Sequence, residues 1–404
     1  MALPLSLWLL LLGAGLVAAA DPLMWEELPS MPANLGEVAS GVCKGNKGIP
    51  HLVVVGQGSL ASLADTDLTL VFNVKTRTWQ KGAQRPYKGN HHAAVGVGNR
   101  FYLIGGFLGD SAGRMQVYDC RKGQWSEGPR PPFASASGAT AAIGDKQIIY
   151  CGGITDGDKA KGRARPDCAR YDVKKNTWHT DVPPMPVGVH HAAAGCDGKR
   201  VFFFGGRTSS GNRVTGGVGH TQIYDPKKKA RQHGAGGRII GALCGRIQRT
   251  KRRTCTASVP PLPVIAEPHG PRAYDTVRTW SSSTQPLGPA PLSIARGGMG
   301  AVPYLNGKLM VFGGEAQCPK DRPSCEEKSE GRTPNGVYNR VDVYDPKKDT
   351  WEELLYAMPL PRHGIFPQAL GDKVLVCGGN AKAGRQGESN TCSTVHFAGG
   401  GKKP

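Results

Sequence analysis

Residues 100–125 read RFYLIGGFLGDSAGRMQVYDCRKGQW. The stretch opens on a short run, FYLI, that is apolar without strict alternation and stops at a glycine pair. Such a run describes a strand buried on both faces, ended by residues whose missing Cβ lets the chain turn. After a polar loop comes VYDCRKGQW, in which an aromatic and an acid precede basic residues and a tryptophan. That is hairpin-turn chemistry between two further strands.

Both phrases recur along the chain. Apolar runs closing on glycine appear as HLVVVGQG, FYLIGG, QIIYCGG, RVFFFGG, KLMVFGG and KVLVCGG. The second phrase returns as VFNVKTRTW, VYDCRKGQW, RYDVKKNTW and VYDPKKDTW. In each, tryptophan lies seven residues after the aromatic: Phe72 to Trp79, Tyr118 to Trp125, Tyr171 to Trp178 and Tyr344 to Trp351. Small-residue strands such as HHAAVGV, ASGATAAI and HHAAAGC precede the glycine runs. The repeating unit therefore has four strands, the hallmark of an array rather than of separate domains.

This pattern resembles the kelch family of β-propellers, whose repeats carry a diglycine and then a spaced Tyr and Trp. The resemblance covers nearly all of the chain after residue 20 and implies an all-β, six-bladed propeller. The last repeat offers GIFPQALG, KVLVCGG and STVHFA but no Trp strand. MWEELPSMP (24–32), which echoes TWEELLYAMPLP (350–361), supplies it. The sixth blade is thus expected to be closed by the N-terminal strand, with no free edge between first and last blades. Trp25, Trp79, Trp125, Trp178, Trp280 and Trp351 all fall at one repeat position.

Residues 1–20, MALPLSLWLLLLGAGLVAAA, carry no charge and end in small residues, as a cleaved signal peptide does. The run Leu3 to Val17 is short for a membrane anchor. Residues 21–404 are expected to be one propeller, secreted or in the secretory lumen, monomeric, and without a membrane span. One segment does not fit the period. The step from Trp178 to Trp280 is 102 residues, and removing 230–278 restores the seven-residue spacing from Tyr224. That segment holds nine Lys or Arg against Glu267 and Asp275. A functional basic loop, a disordered insertion and translated non-coding sequence remain open as its explanation.

The formal net charge of +20 favours anionic partners. Nucleic acid is set aside for a secreted chain, which leaves a protein or an anionic polysaccharide. The loops joining second and third strands must leave one face of the ring; four are long and mostly basic, and a fifth, EAQCPKDRPSCEEKSEGRTPNG, is longer and mixed in charge. Lys159, Lys161, Arg163, Arg165, Arg207, Arg213, Lys382 and Arg385 would crowd that face, with Arg362 and His363 near the channel mouth. Charge reversal at Lys161, Arg163 and Arg165 is expected to weaken polyanion binding. The same change in the Lys227-Lys228-Lys229 turn is expected to leave it intact.

Eleven cysteines in a secreted chain invite pairing. Cys151 with Cys168, and Cys377 with Cys392, each join the end of a second strand to the start of a third, where antiparallel neighbours face. Cys318 and Cys325 share one loop. Cys43, Cys120 and Cys196 are left over, with at least one free thiol expected.

Adjacent residues of a strand point to opposite faces, so neither His91-His92 nor His190-His191 chelates one ion as a pair. One of each pair is expected to line the channel while the other packs between blades, and no metal or cofactor is called for. The preferred reading is a non-enzymatic binding module for an anionic glycan or an acidic protein. The resemblance also implies an alternative, since some kelch propellers are sugar epimerases or copper-radical oxidases. An epimerase needs an acid–base pair beside an arginine, and acidic residues are scarce in the inner strands. The fold alone does not decide.

Overall fold

The computed structural model describes residues 23–58, 66–107, 109–155, 164–208, 217–228, 280–283, 288–300, 302–316, 331–354, 358–384 and 386–398. They form six antiparallel four-stranded sheets. The N-terminal strand β1 is Leu23–Leu28. Blade 1 follows as β2 (Gly36–Lys44), β3 (Pro50–Gln57), β4 (Leu70–Asn73) and β5 (Thr78–Lys81). Blade 2 contains β6 (Ala93–Val97), β7 (Arg100–Ile104), β8 (Met115–Asp119) and β9 (Gln124–Glu127). Blade 3 has β10 (Ala139–Ile143), β11 (Gln147–Cys151), β12 (Cys168–Asp172) and β13 (Thr177–His179). Blade 4 has β14 (Ala193–Cys196), β15 (Val201–Phe204), β16 (Thr221–Tyr224) and β17 (Trp280–Ser282). Blade 5 has β18 (Tyr304–Leu305), β19 (Lys308–Phe312), β20 (Val341–Asp345) and β21 (Thr350–Leu354). The last blade runs through β22 (Gln368–Leu370) and β23 (Lys373–Cys377), a small hairpin of β24 (Asn380–Lys382) and β25 (Gln386–Glu388), then β26 (Cys392–Phe397).

The sixth blade is built from both ends of the described chain. Its strand order is β22, β23, β26, β1, with Trp25 opposite Val395 and Leu28 opposite Cys392. The two similar phrases in the sequence are therefore two copies of one outer strand, Trp25 in blade 6 and Trp351 in blade 5.

The seven-residue spacing has a direct cause. Phe72, Tyr118, Tyr171, Tyr224 and Tyr344 sit opposite Trp79, Trp125, Trp178, Trp280 and Trp351. Their ring centroids are 4.9 to 5.4 Å apart. Blade 4 keeps this register although residues 229–279 intervene. That range takes in the whole 230–278 segment, which lies outside the described residues. Each of the five indoles also reaches toward the preceding blade. Trp178 donates to Pro129 O at 2.9 Å and Trp351 to Ala290 O at 3.0 Å, with Trp79, Trp125 and Trp280 alike. Tryptophan thus closes a hairpin with its ring and a blade seam with its N–H.

The core consists of six seams between neighbouring blades. Strand β15, Val-Phe-Phe-Phe, shows why the second strands are apolar at every position. Phe203 packs toward blade 3 with Ile149 and Trp280, whereas Phe202 and Phe204 pack toward blade 5 with Leu309 and Val311. Both faces of the strand are buried, so alternation is lost. The following Gly205 and Gly206 have φ of 62° and 93°. A Cβ on Gly205 would stand 2.6 Å from Arg296 O, so glycine is required there by contact as well as by conformation.

Three disulfides join described residues. Cys151 is bonded to Cys168 and Cys377 to Cys392, each pair directly opposite in the register. The third, Cys43–Cys120, ties the end of blade 1's inner strand to the outer turn of blade 2. Cys196 is free, and burial pushes its thiol up to about 11. Cys318 and Cys325 lie outside the described residues. No helix among the described residues is long and apolar enough to cross a membrane.

Candidate functional site: the channel mouth

Every blade starts its inner strand in the same way. Asn90, Ala136, His190, Gly297 and His363 pair with Phe107, Ile154, Arg207, Glu315 and Asn380, the first residue after each diglycine. Gly36 and Gln57 occupy those places in blade 1. The next residue in each blade is left-handed: Glu37 (φ 42°), His91 (55°), Ser137 (52°), His191 (57°), Gly298 (75°) and Gly364 (60°).

That conformation turns the backbone so that successive blades bond to one another around the axis. Ser137 N donates to His91 O, His191 N to Ser137 O, Gly298 N to His191 O, and Gly364 N to Gly298 O, at 2.6 to 2.9 Å. Val38 N donates to Gly364 O at 2.9 Å and carries the ring from blade 6 to blade 1. Four of the six positions are non-glycine, and left-handed strain of this kind is found where side chains are held for a purpose.

The six residues line a void of about 330 Å³, a volume that includes its open mouth. The free space inside it is about 30 Å³, enough for a water or two. Blades 1 to 4 present Glu37, His91, Ser137 and His191, and blades 5 and 6 present glycine. The glycines make space: a Cβ on Gly364 would stand 3.0 Å from Glu37 Oε2, and one on Gly298 would stand 3.2 Å from His363 Nδ1.

A continuous polar chain runs round this mouth. Arg207 is ion-paired with Glu315. Glu315 Oε1 lies 3.4 Å from His363 Nδ1, which is 3.6 Å from Glu37 Oε1. Glu37 Oε2 is 3.3 Å from His91 Nε2, and the His91 ring stands edge-on to His191 at 5.1 Å. Asn380 Nδ2 donates to Glu37 Oε1 at 3.1 Å, and the Gly384 N–H donates to Glu315 Oε2 at 2.6 Å. Glu37 and Glu315 are only 7% and 3% exposed, so these are charges kept inside the fold by partners.

The titration of the site follows from those contacts. Burial presses Glu315 upward, but His363, Arg207 and the Gly384 N–H together hold it below the usual carboxylate range. His191 is held well below 6.5, first by burial and then by Arg207 and its histidine neighbours, so its imidazole is neutral at pH 7. His91, His92 and His191 all border the void, but His92 is buried beside Gly105 O, its Nε2 3.0 Å from Arg85, and is pushed down to about 3 by burial and that arginine.

Three expected binding residues, Arg207 on the loop face and Arg362 and His363 at the channel mouth, turn out to be buried. The residue after the diglycine is not loop but channel wall, so Arg207 is neutralised by Glu315 and adds no charge to the face. Arg362 donates to Gly378 O, Thr391 O and Val376 O at 3.1 to 3.2 Å, and burial pulls its guanidinium down to about 10. His363 Nε2 contacts Lys382 O and Gly384 O at 2.9 and 2.8 Å and so fastens the β24–β25 hairpin. Arg296 is likewise buried against Asp342, which Arg340 also grips. Arg165 lies over Phe133 and pairs with Asp167 at 2.9 Å. Lys382 is exposed. Lys159, Lys161, Arg163, Arg213 and Arg385 lie outside the described residues.

Sequence reasoning missed Glu37 and Glu315 and so found the inner strands poor in acid. The signal was present in the repeat: both occupy the inner-ring positions once the six phrases are superposed.

Comparison with known proteins agrees with this architecture. Residues 88–132 match the Kelch motif family model. The chain is 26% identical over 328 residues to Kelch-like protein terF of Aspergillus terreus, across 74% of this chain and 62% of that protein. It is 25% identical over 175 residues to Alpha-scruin and 24% over 171 residues to Beta-scruin of Limulus polyphemus. Those matches take in 42% and 40% of this chain but 18% of each scruin, so it spans less than two thirds of the length of all three relatives. With six blades, the diglycine and the paired Tyr and Trp in place, the chain belongs to the kelch-repeat β-propellers.

Proposed function

We propose that the protein is a secreted, non-enzymatic interaction propeller whose loop-bearing face, around the channel mouth, holds an acidic segment of a protein partner. The supporting observation is topological. In every blade the second-to-third connection leaves the end of the ring where the inner strand begins, so five long loops, four of them mostly basic and the fifth mixed in charge, share one face around a rigid rim. The likeness to kelch-repeat proteins supports an interaction propeller as the class. The three disulfides support the secretory setting, since such bonds persist outside the cytosol. The buried channel arginines add no charge to this face, so the reading rests on the loop cations. Reversing Lys159, Lys161 and Arg163 to Glu should weaken binding of a Glu/Asp-rich peptide by on the order of tenfold, measured by fluorescence anisotropy at 150 mM salt. An unchanged affinity would remove the loops from the site.

A second reading is favoured by one observation, the carboxylates Glu37 and Glu315 set among His91, His363 and Arg207. A carboxylate–imidazole pair beside a guanidinium can hold and move a proton, and a small sugar would have to reach it from above the narrow mouth, through Glu37 and His91. Anomer exchange of monosaccharides followed by NMR tests it: acceleration abolished by Glu37→Gln would support catalysis, and no acceleration would leave the cluster a structural one.

A further inference from the structure

The face opposite the long loops carries a repeated feature that neither the fold nor the proposed site uses. The third-to-fourth connections of blades 1 to 5, tight turns except in blade 4 where residues 229–279 intervene, begin VFNVK, VYDCR, RYDVK, IYDPK and VYDPK. Their strand pairings place all five at the end of the ring away from the channel mouth. Two positions in these turns have structural work. Asn73, Asp119, Asp172, Asp225 and Asp345 accept backbone N–H groups of their own turns at 2.9 to 3.1 Å. Arg77, Gly123, Asn176 and Asp349 supply the left-handed residue that reverses the chain. Three residues after the aromatic stands a cation in every one of the five blades: Lys75, Arg121, Lys174, Lys227 and Lys347. All five are exposed, and none makes an ion pair within 4 Å among the described residues.

The turn geometry asks for no cation there, yet five blades have one. We propose that these five residues form a basic platform that binds a sulfated or carboxylated polysaccharide, on the face opposite the protein-binding loops. The platform is held stiff by links between neighbouring turns. Cys43–Cys120 and the bond from Asn46 Nδ2 to Arg121 O (3.3 Å) join blades 1 and 2, and Arg200 donates to Pro346 O (3.1 Å) across blades 4 and 5. Cations carried at one position of successive blades suit a polymer with charges along its length, and the bonded turns leave less backbone ordering for the moment of binding. A hydrated polymer fits better than a bilayer. Among the described residues only Met24 and Tyr304 are exposed large apolar side chains, so there is almost nothing to insert. This replaces the expectation that the Lys227 turn is silent. The choice of polysaccharide rests on the secretory reading, whereas the surface does not.

The test compares two charge-matched variants of the full secreted chain. One carries Lys75→Gln, Arg121→Gln, Lys174→Gln, Lys227→Gln and Lys347→Gln, and the other carries Gln at Lys159, Lys161, Arg163, Arg213 and Arg385. The probes are heparin, neutral dextran and phosphatidylcholine–phosphatidylserine vesicles at 150 mM salt, with circular dichroism as the folding check. The turn variant should lose heparin affinity by about tenfold or more and show a shallower salt dependence, while the loop variant keeps most of it. Acidic-peptide binding should respond in the opposite way, so failure of one reading is visible apart from failure of the other. Equal losses in both variants, no heparin binding by the wild type, or binding to vesicles alone would each overturn the proposal.

Discussion

At the end of the ring where the inner strands begin, Arg207, Arg296, Arg340 and Arg362 are buried, and each is matched to a carboxylate or to backbone carbonyls. At the other end, Lys75, Arg121, Lys174, Lys227 and Lys347 stand in water without such partners. Sequence alone offers both sets as positive charge. The difference lies in burial, because the first set is packed among strands and blades where water is excluded. A guanidinium there must be satisfied by the protein, and Arg is suited to that by its fixed fork of donors. At the rim a cation is solvated and can meet a partner. The basic composition of the chain is therefore two populations, one that holds the ring together and one available for binding.

Breaking the buried population should have the largest effect. Asp342→Asn removes the carboxylate that both Arg296 and Arg340 contact and leaves two buried guanidinium groups unbalanced. A loss of about 3–5 kcal/mol in urea unfolding is expected, and Glu315→Gln should follow in the same direction.

Acid should act next. His92 titrates near 3 in the fold, below the ordinary value of 6.5, so between these values the unfolded chain binds a proton that the folded chain does not. Stability is then full above pH 6.5 and falls as pH drops, by about 2 kcal/mol between pH 7 and pH 5. His191, also depressed, acts in the same sense. Urea midpoints across that range check it, and His92→Gln should flatten the slope.

A smaller effect belongs to the seams. Trp178→Phe keeps a ring against Tyr171 but loses the hydrogen bond to Pro129 O, at about 1 kcal/mol. Smallest is Lys174→Gln, which should leave the unfolding midpoint unchanged and alter polyanion binding alone. A stability loss from it as large as that of Trp178→Phe would break the distinction between the two populations.

The blades could be read in the sequence because each is local. A diglycine, an aromatic and a tryptophan seven residues on describe strands that pair with their sequence neighbours, and the unpaired last blade pointed to the N-terminal strand. The pairs Cys151–Cys168 and Cys377–Cys392 could be read for the same reason. Cys43–Cys120 could not, since it joins two blades through 77 residues of chain. The channel site is the extreme case. Glu37, His91, His363 and Glu315 come from four different blades, and only ring closure brings them within 4 Å. Arg207 was misplaced because a diglycine reads as the start of a loop, whereas the next residue still belongs to the wall.

The most direct test of the two-faced account is hydrogen–deuterium exchange of the whole protein, alone and with a Glu/Asp-rich peptide or heparin. The account predicts that the peptide slows exchange in the second-to-third loops and that heparin slows it in the turns after Phe72, Tyr118, Tyr171, Tyr224 and Tyr344. Protection of the same face by both ligands, or of neither, would contradict it.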